Sequence, residues 1–187
     1  AVPRAQKERP KPLRLGIGAG ASVNGGVSPS AALSGAFELT AEWNFESLFS
    51  PLASLGAEST LPDEAENAEG AAHFRWSVVR GSFCPLRLRA GRSIALRPCG
   101  LFEGGVLEAD GSDIEQSTST TTPWWSVGAS ARGELAVLDP LAVILEAGGR
   151  LHLRRDSFYF GSELAGNTVF DVPAGGAFAR LSVQTRW

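Results

Sequence analysis

Ala177-Phe178-Ala179-Arg180-Leu181-Ser182-Val183-Gln184-Thr185-Arg186-Trp187 is the stretch whose reading decides the fold. Its odd positions, Ala177, Ala179, Leu181, Val183, Thr185 and Trp187, are apolar or nearly so. Its even positions from Arg180 onward are Arg180, Ser182, Gln184 and Arg186. A period of two describes a strand with one greasy and one wet face. Trp187 suits a lipid–water boundary, where the ring is apolar and the indole N–H stays wet. The stretch reads as the closing strand of a membrane β-barrel.

The same alternation recurs upstream. Leu13, Leu15, Ile17, Ala19, Ala21 and Val23 alternate with Arg14, Gly16, Gly18, Gly20 and Ser22. Glycines on the polar face leave room in a narrow interior for long charged side chains from other strands. Further strands are predicted over 33–43, 53–61, 72–78, 94–106, 125–137 and 141–153. In the 72–78 strand, Phe74, Trp76 and Val78 take the apolar face and His73, Arg75 and Ser77 the polar one. That makes about eight strands, mostly of the length a tilted strand needs to cross hydrocarbon. Connections at 44–51, 90–92 and 139–140 are short, whereas 62–70, 109–123 and 156–174 read as long loops. The first turn, at Asn24-Gly25-Gly26, is short as well; apart from it, an up-and-down barrel puts the two kinds at opposite rims.

Composition sets the outer bounds. The 187 residues fit one domain, and a net charge of −3 suggests no nucleic-acid partner. No apolar run reaches the roughly 18 residues of a transmembrane helix, a limit that does not touch barrel strands. A hydrophobic content of 43% suits half-apolar strands and equally suits an ordinary soluble domain. Residues 1–12 hold Pro3, Pro10 and Pro12 with Arg4, Lys7, Arg9 and Lys11, and read as a flexible lead-in to a barrel over 13–187. With no basic-then-apolar leader at Ala1, the expectation is a removed signal peptide or a piece of a longer precursor.

On strand count, loop asymmetry and the aromatic-ended last strand, 13–187 resembles the small eight-stranded outer-membrane β-barrel proteins of Gram-negative bacteria, the OmpA/OmpX type. Phe is the usual last residue there, and Trp187 departs from it. The resemblance implies an all-β, antiparallel, up-and-down transmembrane barrel, with outer-membrane lipid and an unknown extracellular molecule as partners. It further implies a monomer with periplasmic termini, and a role in envelope integrity, adhesion or surface interaction.

The polar faces collect Glu38, Glu42, Glu58, Glu103, Glu134 and Glu146, with Arg14, Arg75, Arg97, Arg132, Arg150, Arg154, Arg180 and Arg186. An eight-stranded barrel is just wide enough to be filled by side chains, and buried charges of mixed sign must pair. The expectation is an ionic plug; a narrow ion path is the alternative. Cys84 and Cys99 read as a disulfide, in keeping with an oxidising compartment. A two-residue turn at Gly91-Arg92 would set them opposite, whereas pairing Leu88 with Ile94 and Leu86 with Leu96 wants another register, so a bulge is predicted between the two. Trp43, Trp125 and Trp187 form the expected interfacial girdle, which Trp76, in mid-strand, fits poorly. Phe158-Tyr159-Phe160 could form an adhesive tip. His73 and His152, with Ser77, Ser126, Ser130 and Asp156, are the only material for a hydrolase site, and abundant serine makes that match easy by chance. No metal or cofactor is expected, and no catalytic residue is assigned. A soluble barrel carrying a hydrophobic ligand is the main competitor; it needs Leu15, Phe37, Val143 and Leu181 inside.

Overall fold

The computed structural model describes residues 13–45, 47–61, 63–67, 70–91, 93–112, 119–154, 157–159 and 168–187. Its strands are β1 (Leu13–Asn24), β2 (Ala32–Trp43), β3 (Phe49–Thr60), β4 (Asp63–Asn67), β5 (Gly70–Leu86), β6 (Leu88–Ala90), β7 (Ile94–Ser112), β8 (Ser119–Leu138), β9 (Leu141–His152), β10 (Ser157–Tyr159), β11 (Thr168–Asp171) and β12 (Gly175–Arg186). Eight of them, β1, β2, β3, β5, β7, β8, β9 and β12, pair antiparallel with their neighbours, and β12 returns to β1. The sheet therefore closes and the barrel has no open seam.

The ladders also fix the stagger. Leu15 pairs with Ala41, Ala41 with Ala53, Ala53 with Phe83 and Phe83 with Gly100. Gly100 then pairs with Ala129, Ala129 with Gly149 and Gly149 with Ala177. Ala177 accepts a hydrogen bond from Gly25, so one circuit begun at Leu15 ends farther along the same strand. A closed sheet with that stagger has strands tilted by roughly 35–45°. The narrow lumen that results lies close to β1: a Cβ at Gly16 would lie 2.5 Å from Gln184 Nε2 and 2.6 Å from Thr40 Oγ1, so a larger residue there would have to displace those side chains.

Side-chain direction separates the two leading expectations. Leu15, Phe37 and Leu181 are exposed on the outside, and Leu181 is 58% accessible. Thirty large apolar residues among those described are exposed in this way. Water-soluble monomers rarely expose apolar patches beyond a few hundred Å². The soluble-carrier arrangement is thus reversed: the aliphatic side chains face outward and the carboxylates and guanidiniums face the lumen.

The strands are not of equal reach. β1, β2, β3, β9 and β12 have 12 residues each, whereas β5, β7 and β8 have 17, 19 and 20. The extra length lies at the rim away from the termini, where β4 adds to the edge of β5. Residues 119–125 of β8 precede Ser126, the first to pair with β9. β4, β5, β7 and β8 thus stand out as a blade. Residues 109–112 and 119–123, expected in a loop, are strand. Loop composition lost there because a β-branched threonine run gains a ladder partner in β7. The third strand likewise starts at Phe49, so Pro51 lies inside it, and the last long connection carries the β10–β11 hairpin.

The blade inverts the facing rule. Phe74, Trp76 and Val78 are buried inside, and Trp76 is 0% exposed. Arg75 points outward, where its Nε donates to Ser59 Oγ at 3.4 Å. The expected assignment of this strand is therefore corrected. Farther down the same strand, Val79 and Phe83 are exposed and Arg80 is buried. Beyond the lipid-facing level the outside of the sheet is wet, so apolar residues turn inward, as in any soluble sheet.

Candidate functional site: the filled lumen and its mouth

Alternation along eight strands sends every second side chain into the lumen. Four levels fill it. At the rim that carries the termini, Glu42 and Glu134 share the guanidiniums of Arg87, Arg97 and Arg186. Arg87 Nη1 is 2.7 Å from Glu42, Arg97 Nε is 3.0 Å from Glu134 and Arg186 Nη1 is 3.1 Å from Glu134. Arg97 also bonds Glu42 and donates Nη1–H to the Ser50 carbonyl at 2.5 Å. Arg87 lies outside the spanning strands, between β5 and β6. Burial pulls its guanidinium below the ordinary value, while Glu42 and Glu134 pull it back up.

Above this level, Arg132 Nη1 contacts both oxygens of Glu38, at 2.8 and 2.9 Å, and its Nη2 donates to Gln184 Oε1 at 3.0 Å. Glu146 lies 3.8 Å from Arg132 and accepts from Ser130 Oγ at 2.7 Å. The third level is centred on Glu58 and Glu103. Arg80 bridges them, at 3.2 Å and 2.5 Å. Arg180 bonds Glu58, and Arg150 Nη1 reaches Glu103 at 3.0 Å. Asn24 and Ser34 donate to Glu58 at 2.7 and 2.5 Å, and Ser126 donates to Glu103 at 2.6 Å. Glu58 and Glu103 are each held by several donors at once, the arrangement that offsets the loss of water.

The fourth level is apolar. Val27, Phe74, Trp76, Val78, Leu107 and Trp124 pack as one cluster beneath the blade. Arg150 stacks over Trp76, 4.8 Å from the ring centroid, and Arg80 over Phe178 at 4.4 Å, which joins the ionic level to the cap. The rings of Trp124 and His152 are 4.4 Å apart, and His152 Nδ1 meets the Pro173 carbonyl at 2.8 Å.

Eleven of the fourteen charged residues read on the polar faces lie in these levels: Glu38, Glu42, Glu58, Arg97, Glu103, Arg132, Glu134, Glu146, Arg150, Arg180 and Arg186. The other three do not. Arg75 is outside the barrel, and Arg14, though on the lumen-facing side of β1, is exposed at the terminal rim. Arg80 and Arg87 are network members that sequence reasoning missed. Arg80 follows from shifting the phase of β5 by one residue, and the phase of Phe83 and Cys84 carries that signal. Arg154, read on the wet face, is exposed beyond the end of β9. His73 shares the outward side of β5 with Arg75, whereas His152 is in the lumen, so the structure does not bring the two histidines together.

Cys84 and Cys99 are joined, directly opposite each other on β5 and β7, with Cα atoms 4.1 Å apart. At the tip the ladder runs Leu88 to Leu96 and Ala90 to Ile94, one residue out of step with the cysteines. Arg87 is the extra residue that absorbs the mismatch, so the bulge falls between the two registers. The expected pairs Leu88–Ile94 and Leu86–Leu96 do not form. Trp43 and Trp187 are exposed on the outer face at the terminal rim. Trp125 is exposed toward the other rim, packed 5.7 Å from Phe102. Trp76 and Trp124 belong to the internal cap instead. The lead-in 1–12 and Phe160 of the proposed adhesive tip lie outside the described residues, as does Asp156.

No family model and no curated protein matches the sequence. Solved structures do match in shape. A major outer membrane protein from Thermus thermophilus superposes with a TM-score of 0.72 at 12% identity, covering 94% of this chain and 99% of that one. Neisserial surface protein A gives 0.54 at 8% identity, with 94% and 97% covered. Ail, the attachment invasion locus protein of Yersinia pestis, in complex with the heparin analogue sucrose octasulfate, gives 0.53 at 14% identity, again with 94% and 97% covered. At such identities the likeness is one of fold. The chain has the fold of the small eight-stranded outer-membrane β-barrels.

Proposed function

We propose that the protein is a monomeric outer-membrane barrel with periplasmic termini, a sealed lumen, and a blade that makes contacts at the cell surface. The observation that carries this reading is the extension of β4, β5, β7 and β8 beyond the remaining strands, above a lumen filled by ions and capped by aromatics. A conducting role fits poorly with a lumen so occupied. Catalysis finds little support, since His73 and His152 are on opposite sides of the wall.

The blade has its own chemistry. Its β4 edge is Asp63-Glu64-Ala65-Glu66-Asn67, a charged edge of the kind that discourages indiscriminate strand pairing. Its other edge, residues 119–124 of β8, pairs only with β7 among the described residues. The acidic edge and Asp110 favour a cationic or uncharged partner over a sulfated polyanion of the kind bound to Ail.

The test has two parts. The chain, expressed behind a signal peptide in a Gram-negative host, is expected in outer-membrane fractions with a heat-dependent gel shift. A variant lacking 64–72 and 108–121 is expected to keep both properties and to lose cell-to-cell or cell-to-surface attachment conferred by the intact chain. Attachment equal in the two, or absent with the intact chain, rejects the surface-contact role; soluble fractionation rejects the membrane assignment.

A further inference from the structure

The terminal mouth of the barrel opens into a cavity of about 380 Å³. Four arginines line it: Arg14, Arg87, Arg89 and Arg186, with Glu134 the one acidic residue among those on its wall. They come from β1, from the β5–β6 bulge, from β6 and from the end of β12, so barrel closure is what assembles them. Asn44, Ser93 and the backbone around Gly91 complete the polar wall.

Charge is not balanced here. Glu42 and Glu134 already serve the guanidiniums of Arg87, Arg97 and Arg186, and Glu134 lies 3.8 Å from Arg132 as well. Arg14 and Arg89 add two positive charges at the opening. Arg89, exposed to solvent, donates to the side-chain oxygen of half-buried Asn44 at 3.2 Å. The third level also sets three guanidiniums, those of Arg80, Arg150 and Arg180, against Glu58 and Glu103, but all five are buried, whereas Arg14 and Arg89 are exposed at the opening. A guanidinium fork fits an oxyanion through paired N–H donors, and several forks around one space favour a doubly charged group.

We infer that this mouth is a binding site for a phosphate group, held by the forks of Arg14 and Arg89 and by the field of Arg87 and Arg186. The cavity admits a small phosphorylated molecule or the headgroup of an anionic lipid and is too small for a folded protein. The site is separate from the blade and lies at the opposite end of the barrel. It rests on the barrel fold alone, so it stands or falls independently of the surface-contact role.

The test is a titration of the refolded barrel in zwitterionic detergent with inorganic phosphate, at ionic strength held constant with chloride and followed by amide NMR. Saturable shifts are expected at Gly91, Ser93, Ala95 and Ala136, with none of them reproduced by chloride. The Arg14→Ala/Arg89→Ala variant should weaken binding by about tenfold or more, because it removes two charge-assisted forks. Neither residue belongs to the buried network, and the heat-dependent gel shift reports whether the variant still folds. A parallel arm uses nanodiscs of phosphatidylcholine with and without phosphatidic acid. Shifts at the same amides only with phosphatidic acid identify a lipid headgroup as the source; shifts with free phosphate identify a soluble ligand. The proposal is overturned by no saturable response in either arm, by equal responses to chloride and phosphate, or by undiminished binding in a folded double variant. If the variant does not fold, the comparison of phosphate with chloride on the parent decides alone.

Discussion

Arg132 and Glu38, far apart in sequence, meet across the lumen in a contact of Nη1 with both carboxylate oxygens, at 2.8 and 2.9 Å. Arg132 is 1% exposed and touches Glu146 and Gln184 as well. Removing it alone leaves two carboxylates without their counter-charge. Arg132→Ala should cost about 3–5 kcal/mol of unfolding free energy, the usual penalty for breaking a buried pair from one side. Arg132→Met with Glu38→Gln should cost less than the two single changes added together. Urea unfolding of the refolded barrel in lipid vesicles measures both.

The glycines of β1 make a second prediction. A Cβ at Gly20 would lie 2.2 Å from the Leu181 carbonyl oxygen and 2.5 Å from Ser182 Cβ, and backbone cannot yield as a flexible side chain can. Gly20→Val should therefore block or sharply slow closure of β1 on β12. Gly35→Val is the control, since nothing lies within 4 Å of a Cβ there and the residue is exposed. The yield of the heat-modifiable form on refolding compares the two.

The inversion of facing along β5 is testable by charge. Leu145 is 59% exposed on the lipid side of β9. An arginine there should destabilise the inserted barrel by about 2–4 kcal/mol if the position is near the bilayer midplane. Arg75→Leu, on the wet outer face of the blade, should change stability by about 0.5 kcal/mol or less. A large loss at Arg75 with none at Leu145 would reverse the assignment of membrane level.

Much of this architecture was legible in the alternation, and the places where it was not share a cause. In β1, β2, β9 and β12 most of the apolar residues face outward, with Ile144 and Phe178 the large exceptions inside, so period two reads almost directly. In β5 the apolar set changes sides, because Phe74, Trp76 and Val78 belong to the cap whereas Val79 and Phe83 belong to the belt. Adjacent Val78 and Val79 mark the crossover, yet local sequence cannot say where the bilayer ends. The misplacement of Arg75 and the omission of Arg80 follow from that one phase error. Arg14 was misjudged for another reason. Its parity is lumenal, but it lies at the rim, and parity carries no information on depth. The cysteine reading was half legible: the cysteines do sit opposite each other, but Leu88 pairs with Leu96 and not with Ile94, because the extra residue, Arg87, falls on the β5 side of the hairpin.

The disulfide gives a further prediction. Cys84 and Cys99 join strands that the β5–β7 ladder already holds together. Cys84→Ser/Cys99→Ser should leave the barrel closed, with a loss of no more than about 3 kcal/mol, the figure for a loop of this size. Hydrogen exchange should quicken first at Leu88, Arg89 and Ala90, beyond the bulge. General loss of protection throughout the barrel would contradict a local role.

The central claim concerns direction, and paramagnetic relaxation in a bilayer tests it. The refolded protein is placed in nanodiscs carrying a lipid labelled with a nitroxide deep in its acyl chain, then separately with a water-soluble gadolinium chelate outside. The account predicts strong broadening of the Leu39, Leu145 and Leu181 methyl signals by the lipid label, little effect of it on the Trp76 ring, and gadolinium broadening at Arg75. Broadening of those methyls by the chelate, with the lipid label leaving them untouched, would contradict the account.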